Sequence, residues 1–450
     1  MQTKNRRGGV PQYTQPHVLL AGGAQALEGL FPGLKDRLLR HGALAYDAGQ
    51  GILVYDYGGL YPRDAETSVE IINVSRRLLN ATLQEELLNQ AGGRVVIRDK
   101  SKVANLLFDE KAQKKGWKAR KSVTGVILES GECVYSDLVV MSTGRKSQLR
   151  SWLEEAGVAL KPPIKVDAKI TYASCWMKPP SDYDPKTSFY SAVVNGRPHS
   201  NRGGIAIAIE NNLIKVTMAG FMGERAPLDL DGWLKYAQSL PDLSIYNLVS
   251  RSEMVTPIVR FTGVPNVCHR YHQVKSLPYG LIIVGDAGQA LNPVYGQGMT
   301  IAALDGKLLQ KQLSKLMARN RTPDSFRASL RLYAPKLHKK LHKQASQGWL
   351  MATSEDMRYE GVIIEGTSKP PRMLYKYTDA LLLAAQNDKK VWSTFIRVAQ
   401  FIDPSSKMFS PRMIRAALWG KKTKQPSAHN IMDSKNDSKN IDADETRIHS

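Results

Sequence analysis

Gly280-Leu-Ile-Ile-Val-Gly-Asp-Ala-Gly-Gln-Ala-Leu-Asn-Pro-Val-Tyr-Gly-Gln-Gly-Met-Thr300 reads as a buried strand, a glycine-rich turn and a helix start. Leu281 to Val284 is an apolar run of strand type. Gly285 lets backbone approach a ligand closely, and Asp286 stands at the strand's carboxyl end, where α/β sheets bind cofactors. An aspartate there can accept hydrogen bonds from a sugar-like chain of hydroxyls. Gly296 and Gly298 leave backbone N–H groups open at the mouth of a helix predicted to begin near Met299, whose positive end would stabilise negative charge on a ligand. Pro293 stiffens the intervening loop. The helix is supported by Ile301, Leu304 and Leu308 on one face, extended by Leu309, Leu313 and Leu316. Taken singly, Asp286 could be a turn residue and the glycines turn formers; their ordered combination is far more specific than any one of them.

Gly285-Asp286-Ala287, then Pro293 and Gly296-x-Gly298, resembles the second flavin motif of the FAD-dependent aromatic hydroxylase superfamily, which includes para-hydroxybenzoate hydroxylase and squalene epoxidase. Asp137-Leu-Val-Val-Met-Ser-Thr-Gly144-Arg145-Lys-Ser147 is similar to the strand and turn that these enzymes place beside FAD, with Met141 and Ser142 where Asp and Ala are usual. Arg7-Gly-Gly-Val-Pro11-Gln12 is similar to a loop just after the nucleotide-binding strands. Arg76 stands where the family opens a helix against the cofactor, and Trp349 to Tyr359 resembles a carboxyl-terminal segment of its members.

The resemblance implies an FAD-dependent oxidoreductase, specifically a monooxygenase. NAD(P)H reduces the flavin, which then forms a peroxide with molecular oxygen and transfers one oxygen atom to a small organic or isoprenoid substrate. It also implies site roles. Asp286 would hold the ribityl chain, Gly285 and Ala287 would flank it, and Pro293 with Gly296, Gly298 and Met299 would face the ring's pyrimidine side. Gly144 and Arg145 would pass close to the nucleotide, and Arg7 and Arg76 would contact pyrophosphate or ribityl. No catalytic side chain is identifiable.

The family also has a Gly-x-Gly-x-x-Gly strand-turn-helix unit ahead of the Arg7 loop, and the sequence holds no such unit. Val18 to Leu27, with Gly22-Gly23 and Asp47 beyond, is a tempting substitute. Its glycine spacing is wrong, however, and Ala21 to Leu30 reads better as a helix broken at Pro32-Gly33. Two explanations stay open: a chain that starts late relative to an FAD-binding version, favoured because the downstream pattern is kept, or a variant binding flavin weakly or through a partner. A flavin-free relative acting as a non-catalytic interaction protein is the alternative function.

A length of 450 residues with 42% hydrophobic content suits two or three globular domains. Three cysteines without paired spacing, Cys133, Cys175 and Cys268, argue for a reducing, cytoplasmic setting. No apolar stretch approaches the roughly 20 residues needed to span a bilayer. The net charge of +22 is concentrated partly in Lys111 to Lys121 around Trp117 and in Lys336 to Lys343. Such clusters could dock on an anionic membrane surface, but a solvated hairpin tip and helix face is the plainer reading, and no specific nucleic acid is expected. His338 and His342 have metal-ligand spacing without the glutamate of a metalloprotease helix, and Cys268, His269 and His272 divide between two strand faces, so no metal is expected.

The expected fold is mixed α/β (α+β): an incomplete FAD/NAD(P)-binding Rossmann-type domain, an inserted antiparallel substrate sheet and a C-terminal helical region. Residues 1–150 and 276–320 would form the FAD-binding domain, 151–275 the substrate domain, 321–420 the helical region and 421–450 a disordered tail.

Overall fold

The computed structural model describes residues 17–109, 121–197 and 199–420. Arg7, most of the lysine loop around Trp117, and the tail 421–450 lie outside the described residues. The fold is mixed α/β, with several sheets and twelve described helices.

The largest sheet has eight strands. Its centre is the meander Thr171–Lys178, Leu213–Gly220, Arg202–Ile209 and Ser191–Asn195, paired antiparallel in that order. Asn211 and Asn212, at the turn between two of these strands, both take left-handed backbone angles, which Asn tolerates better than most side chains. Strand alternation sends Ala173, Cys175, Met177, Ile214, Val216 and Met218 to one face, where they pack under Trp233, Tyr236, Ile245 and Leu248. These four come from helices Leu230–Gln238 and Ser244–Val249, which interrupt a region expected to be strands throughout. The sheet also recruits Ile52–Asp56, parallel to Ser191–Asn195, and Gly59–Leu60, so it is not confined to residues 151–275. The opposite face carries Tyr172, Ser174, Trp176, Ile205, Lys215 and Thr217 and turns toward the glycine-rich loop, since the Tyr172 hydroxyl donates to Asn292 Oδ1 at 2.7 Å.

The quoted stretch forms the strand Leu281–Ile283, parallel to Val139–Met141. Among the described residues no strand pairs with the other edge of Val139–Met141, and Val140 is 45% exposed. Parallel sheets are normally covered on both faces and continued at their edges. Here a helix does the covering: Ala334, Leu337 and Leu341 pack on Ile282. They belong to the helix Pro323–Asp356, which opens with a Thr322/Ser325 capping box and Pro323 in its first turn.

Gly22-Gly23 is a packing device. The helix Ala21–Leu30 lies against Gly298–Arg319, and its first N–H groups are already taken: Leu20 N–H by Thr300 Oγ1 at 3.1 Å, Ala21 N–H by Gln400 Oε1 at 3.0 Å and Gly22 N–H by the Gln400 carbonyl at 2.8 Å. A Cβ on Gly23 would stand 2.7 Å from Thr300 Oγ1 and 2.8 Å from Thr300 Cα, the latter being backbone that cannot swing aside. Gly23→Val should therefore cost about 1–3 kcal/mol through overpacking, seen as a lower midpoint in urea unfolding. An unchanged midpoint would show that the two helices are not seated this closely.

Candidate functional site

The site is assembled where the strand Leu281–Ile283 ends and the helix Gly298–Arg319 begins. Gly285 turns the chain with φ +56°, and a Cβ there would meet nothing within 4 Å. Its N–H is not left for a ligand: it donates to Asp305 Oδ2 at 3.1 Å. Asp305 is 4% exposed and also accepts from Gln344 Nε2 at 3.3 Å. Burial lifts its carboxyl to about 6, against the opposing pull of those two donors.

With Gly285 held, Asp286 points across to the helix mouth. Its Oδ1 lies 3.7 Å from where a Cβ of Gly298 would be, and its carboxylate accepts no hydrogen bond from the described residues. Burial raises its pKa, with Arg145 and then Arg76 pulling the other way. The helix has no side-chain cap, and the N–H groups of Gly298, Met299 and Thr300 find no acceptor among the described residues. A half-buried acid and a bare helix N-terminus thus share one space.

The remaining candidates divide between this space and its frame. Gly144, at φ +74°, also borders open space. Arg145 is committed to framing: its guanidinium donates to the carbonyls of Pro265 and Leu291 while staying in electrostatic range of Asp286. Arg76 opens the helix Arg76–Ala91 within range of the same acid. Gly296, at φ +66°, faces Val18, whose Cβ would be 3.2 Å from an added Cβ. Pro293 is exposed and starts a turn capped by Asn292. Ala287, by contrast, is 1% exposed and packs with Leu281 and Ile283 in the core, and Met299 packs partly on the cluster around Leu19 and Leu79.

A second buried acid, not singled out in the sequence, fixes the loop between the two halves. Asp356 Oδ2 accepts from Asn266 Nδ2 at 2.6 Å and Asn292 Nδ2 at 3.0 Å, and its Oδ1 from the Tyr295 hydroxyl at 2.7 Å. Asn292 N–H in turn donates to Asn266 Oδ1 at 2.7 Å. Burial raises the Asp356 carboxyl to about 6. Beside it, Arg197 joins Asp56, at 2.8 Å, to Glu355, and Arg358 joins Glu355, at 3.2 Å, to Asp379. The paired histidines have separate tasks: His338 Nε2 accepts from Ile283 N–H at 3.1 Å, and His342 stacks on His272 with centroids 3.5 Å apart. Among the described residues no three His, Cys, Asp or Glu side chains are grouped to hold a metal, and no helix is long and apolar enough to cross a membrane.

No family model matches the chain. It is 24% identical over 410 residues to Protein Rv3254 of Mycobacterium tuberculosis, covering 88% of this chain and 81% of that one. PqsL of Pseudomonas aeruginosa, described as a probable FAD-dependent monooxygenase, superposes with TM-score 0.54 at 15% identity, covering 79% of this chain and 89% of PqsL. The flavin-dependent brominase Bmp2 gives 0.59 at 13% identity, covering 95% and 90%. A flavoprotein/dehydrogenase from Cytophaga hutchinsonii gives 0.58 at 13% identity, covering 93% and 90%. These likenesses show the fold, which is that of FAD-dependent monooxygenases and halogenases.

The Asp305 bond can be isolated by pH. The folded protein holds a proton on this carboxyl up to about 6, whereas the unfolded chain releases it near about 3.9, so the associated stability is full below the lower value and lost as pH rises through the upper one. Asp305→Asn keeps an acceptor for Gly285 N–H and removes the titration. The melting temperature of the variant minus that of the parent should therefore grow between about pH 4.5 and 7. A difference that stays flat with pH would mean that this carboxyl does not titrate there.

Proposed function

We propose that the chain binds FAD and acts as a flavoprotein oxidoreductase, specifically a monooxygenase that takes electrons from NAD(P)H and an oxygen atom from O2 and acts on a small organic or isoprenoid substrate. The observation that carries this reading is the Asp286 carboxylate, without a hydrogen bond from the described residues, set beside the uncapped helix start at Gly298. A hydroxylated chain suits the first and an anionic ring edge the second. Open space at Gly285 and Gly144 gives backbone access to the same region.

In this reading Asp286 receives the ribityl hydroxyls, and the backbone from Gly296 to Met299 faces the pyrimidine side of the ring, with Pro293 at the rim. Gly144 lets the nucleotide pass, Arg145 holds the loop that borders it, and Arg76, with Arg7, supplies positive charge. Bound flavin would supply the electron transfer and oxygen activation; the protein supplies position and electrostatics. In this reading the large sheet, with Ile52–Asp56 and Gly59–Leu60 added to the strands of 151–275, is the substrate wall, and the setting is cytoplasmic. The ring and ribityl side fits the residues present. On the nucleotide side, the edge of Val139–Met141 has no neighbouring strand among the described residues. That observation favours the second reading, a flavin-free relative that keeps the fold as an interaction surface.

Titration of the full chain with FAD, followed by flavin fluorescence quenching and absorbance, separates the two. Saturable binding near one flavin per chain, followed by NAD(P)H oxidation under oxygen, is the expected result. Asp286→Ala should weaken FAD at least about tenfold, roughly 1.4 kcal/mol, while its unfolding midpoint stays at or above the parent's, since a half-buried charge has been removed. Failure of the full chain to bind FAD favours the flavin-free reading, and equal affinity in parent and variant removes Asp286 from the site.

A further inference from the structure

Lys215 lies in the middle of the strand Leu213–Gly220, on the sheet face that looks toward the glycine-rich loop. It is 1% exposed, and its Nζ has no hydrogen-bond partner among the described residues. Its neighbours across the strands are Trp176 and Ile207, and the ammonium sits 4.6 Å from the centre of the Trp176 ring. A cation–π contact offsets part of the cost of burying an ammonium, but it leaves all three donors unused. Glu210, the nearby acid, does not pair with it: its Oε2 accepts from Ser75 N–H at 2.9 Å. Burial lowers the Lys215 pKa to about 8, with Glu210 opposing and Arg76 adding to the fall.

The surroundings describe what would satisfy this cation. Arg76 is in electrostatic range of both Lys215 and Asp286. Along the same sheet face Ile205 pairs with Val193 and with Thr217, whose hydroxyl bonds Ser174 at 2.7 Å. Ile205, Val193 and Trp176 are only partly covered, whereas their neighbours on the opposite face are buried. An apolar wall thus borders an ammonium that has an acid in electrostatic range but no hydrogen-bonded partner among the described residues.

We propose that Lys215 binds the carboxylate of the substrate, and that the substrate is a small organic acid whose apolar body lies on Val193, Ile205 and Trp176. This inference rests on the monooxygenase reading, because it takes the sheet face as the substrate wall. A buried, unpaired ammonium lowers stability in the absence of its ligand, a cost that proteins retain at binding sites.

The test is thermal unfolding of the full chain with excess FAD present, as parent, K215M and K215R, against benzoate, hexanoate and their neutral amides. The expected result is a rise of about 2 °C or more for the parent with at least one acid, none with its amide, loss of the rise in K215M and retention in K215R. Without acid, K215M should melt at or above the parent. Acids and amides acting alike, no acid raising the parent, or K215M keeping the rise would each overturn the proposal. So would a K215M protein that melts well below the parent without acid, since Lys215 would then be a structural brace for Trp176. Flavin absorbance of the same proteins, freed of unbound FAD by gel filtration, separates this inference from the reading beneath it. Loss of flavin in K215M alone would assign the lysine to the cofactor. A colourless parent would sink the FAD assignment, while the acid series would still decide whether Lys215 binds carboxylates.

Discussion

A single hydrogen bond, from the Gly285 N–H to the buried Asp305 carboxylate, sets the geometry on which the rest of the site depends. It ties the end of the strand Leu281–Ile283 to the second turn of the helix Gly298–Arg319, across the loop 284–297. Because Gly285 is held at positive φ, the next side chain has one direction available, over the helix mouth at Gly298. Without this tie, loop entropy would spread Asp286 over many positions. The cost is a carboxylate taken out of water, which is visible in its raised pKa. Two donors, the Gly285 amide and the Gln344 side chain, keep that cost bearable.

The other end of the loop has an anchor of the same kind. Asp356 gathers Asn266, Asn292 and Tyr295 in a fully buried knot, and Tyr172 links the knot to the large sheet. Asp356 closes the long helix Pro323–Asp356, and His338 in the same helix accepts the N–H of Ile283. Eighteen residues separate the two contacts, about 27 Å of helix at 1.5 Å per residue. One rod therefore braces both the strand that leads into the site and the loop that leaves it. Pairs of buried polar contacts at fixed separation are costly to satisfy in more than one arrangement, so they specify a single loop conformation as well as stabilising it.

The strand, turn and helix at 280–319 were legible because their signals are local: an apolar run, glycines at positive φ and a 3.6-residue stripe. The helix at Ala21–Leu30 was legible for the same reason, and with it the dismissal of Gly22-Gly23 as a phosphate loop. Asp305 left a faint trace, a charge four residues after Ile301 inside the apolar stripe, which a reading of apolar positions alone passes over. Asp356 lay inside the segment Trp349 to Tyr359 that resembles the family but had no role read for it, while Arg197 and Lys215 left no trace that could be separated from ordinary surface charges, since their importance comes from partners far away in sequence. The helices at 230–249 were missed because strand propensity around them was read as continuous. Ile52–Asp56 joined the large sheet through parallel pairing, which no turn signal announces. Arg145 shows a subtler gap: the motif located the residue, but its guanidinium is spent on the Pro265 and Leu291 carbonyls rather than on open space.

The large positive charge of the chain says little about this interior. What matters there is how charges are paired: Arg197 lies between Asp56 and Glu355, and Arg358 between Glu355 and Asp379. Against that background Asp286 and Lys215 stand apart, two ionisable side chains of opposite sign with no hydrogen-bonded partner among the described residues, both in electrostatic range of Arg76. Folding alone gives no reason to keep them, because replacing each with an apolar residue of similar size would remove a desolvation cost. On the proposed reading, the acid beside the helix mouth would take a polar cofactor chain and the lysine beside the apolar wall would take an acidic substrate.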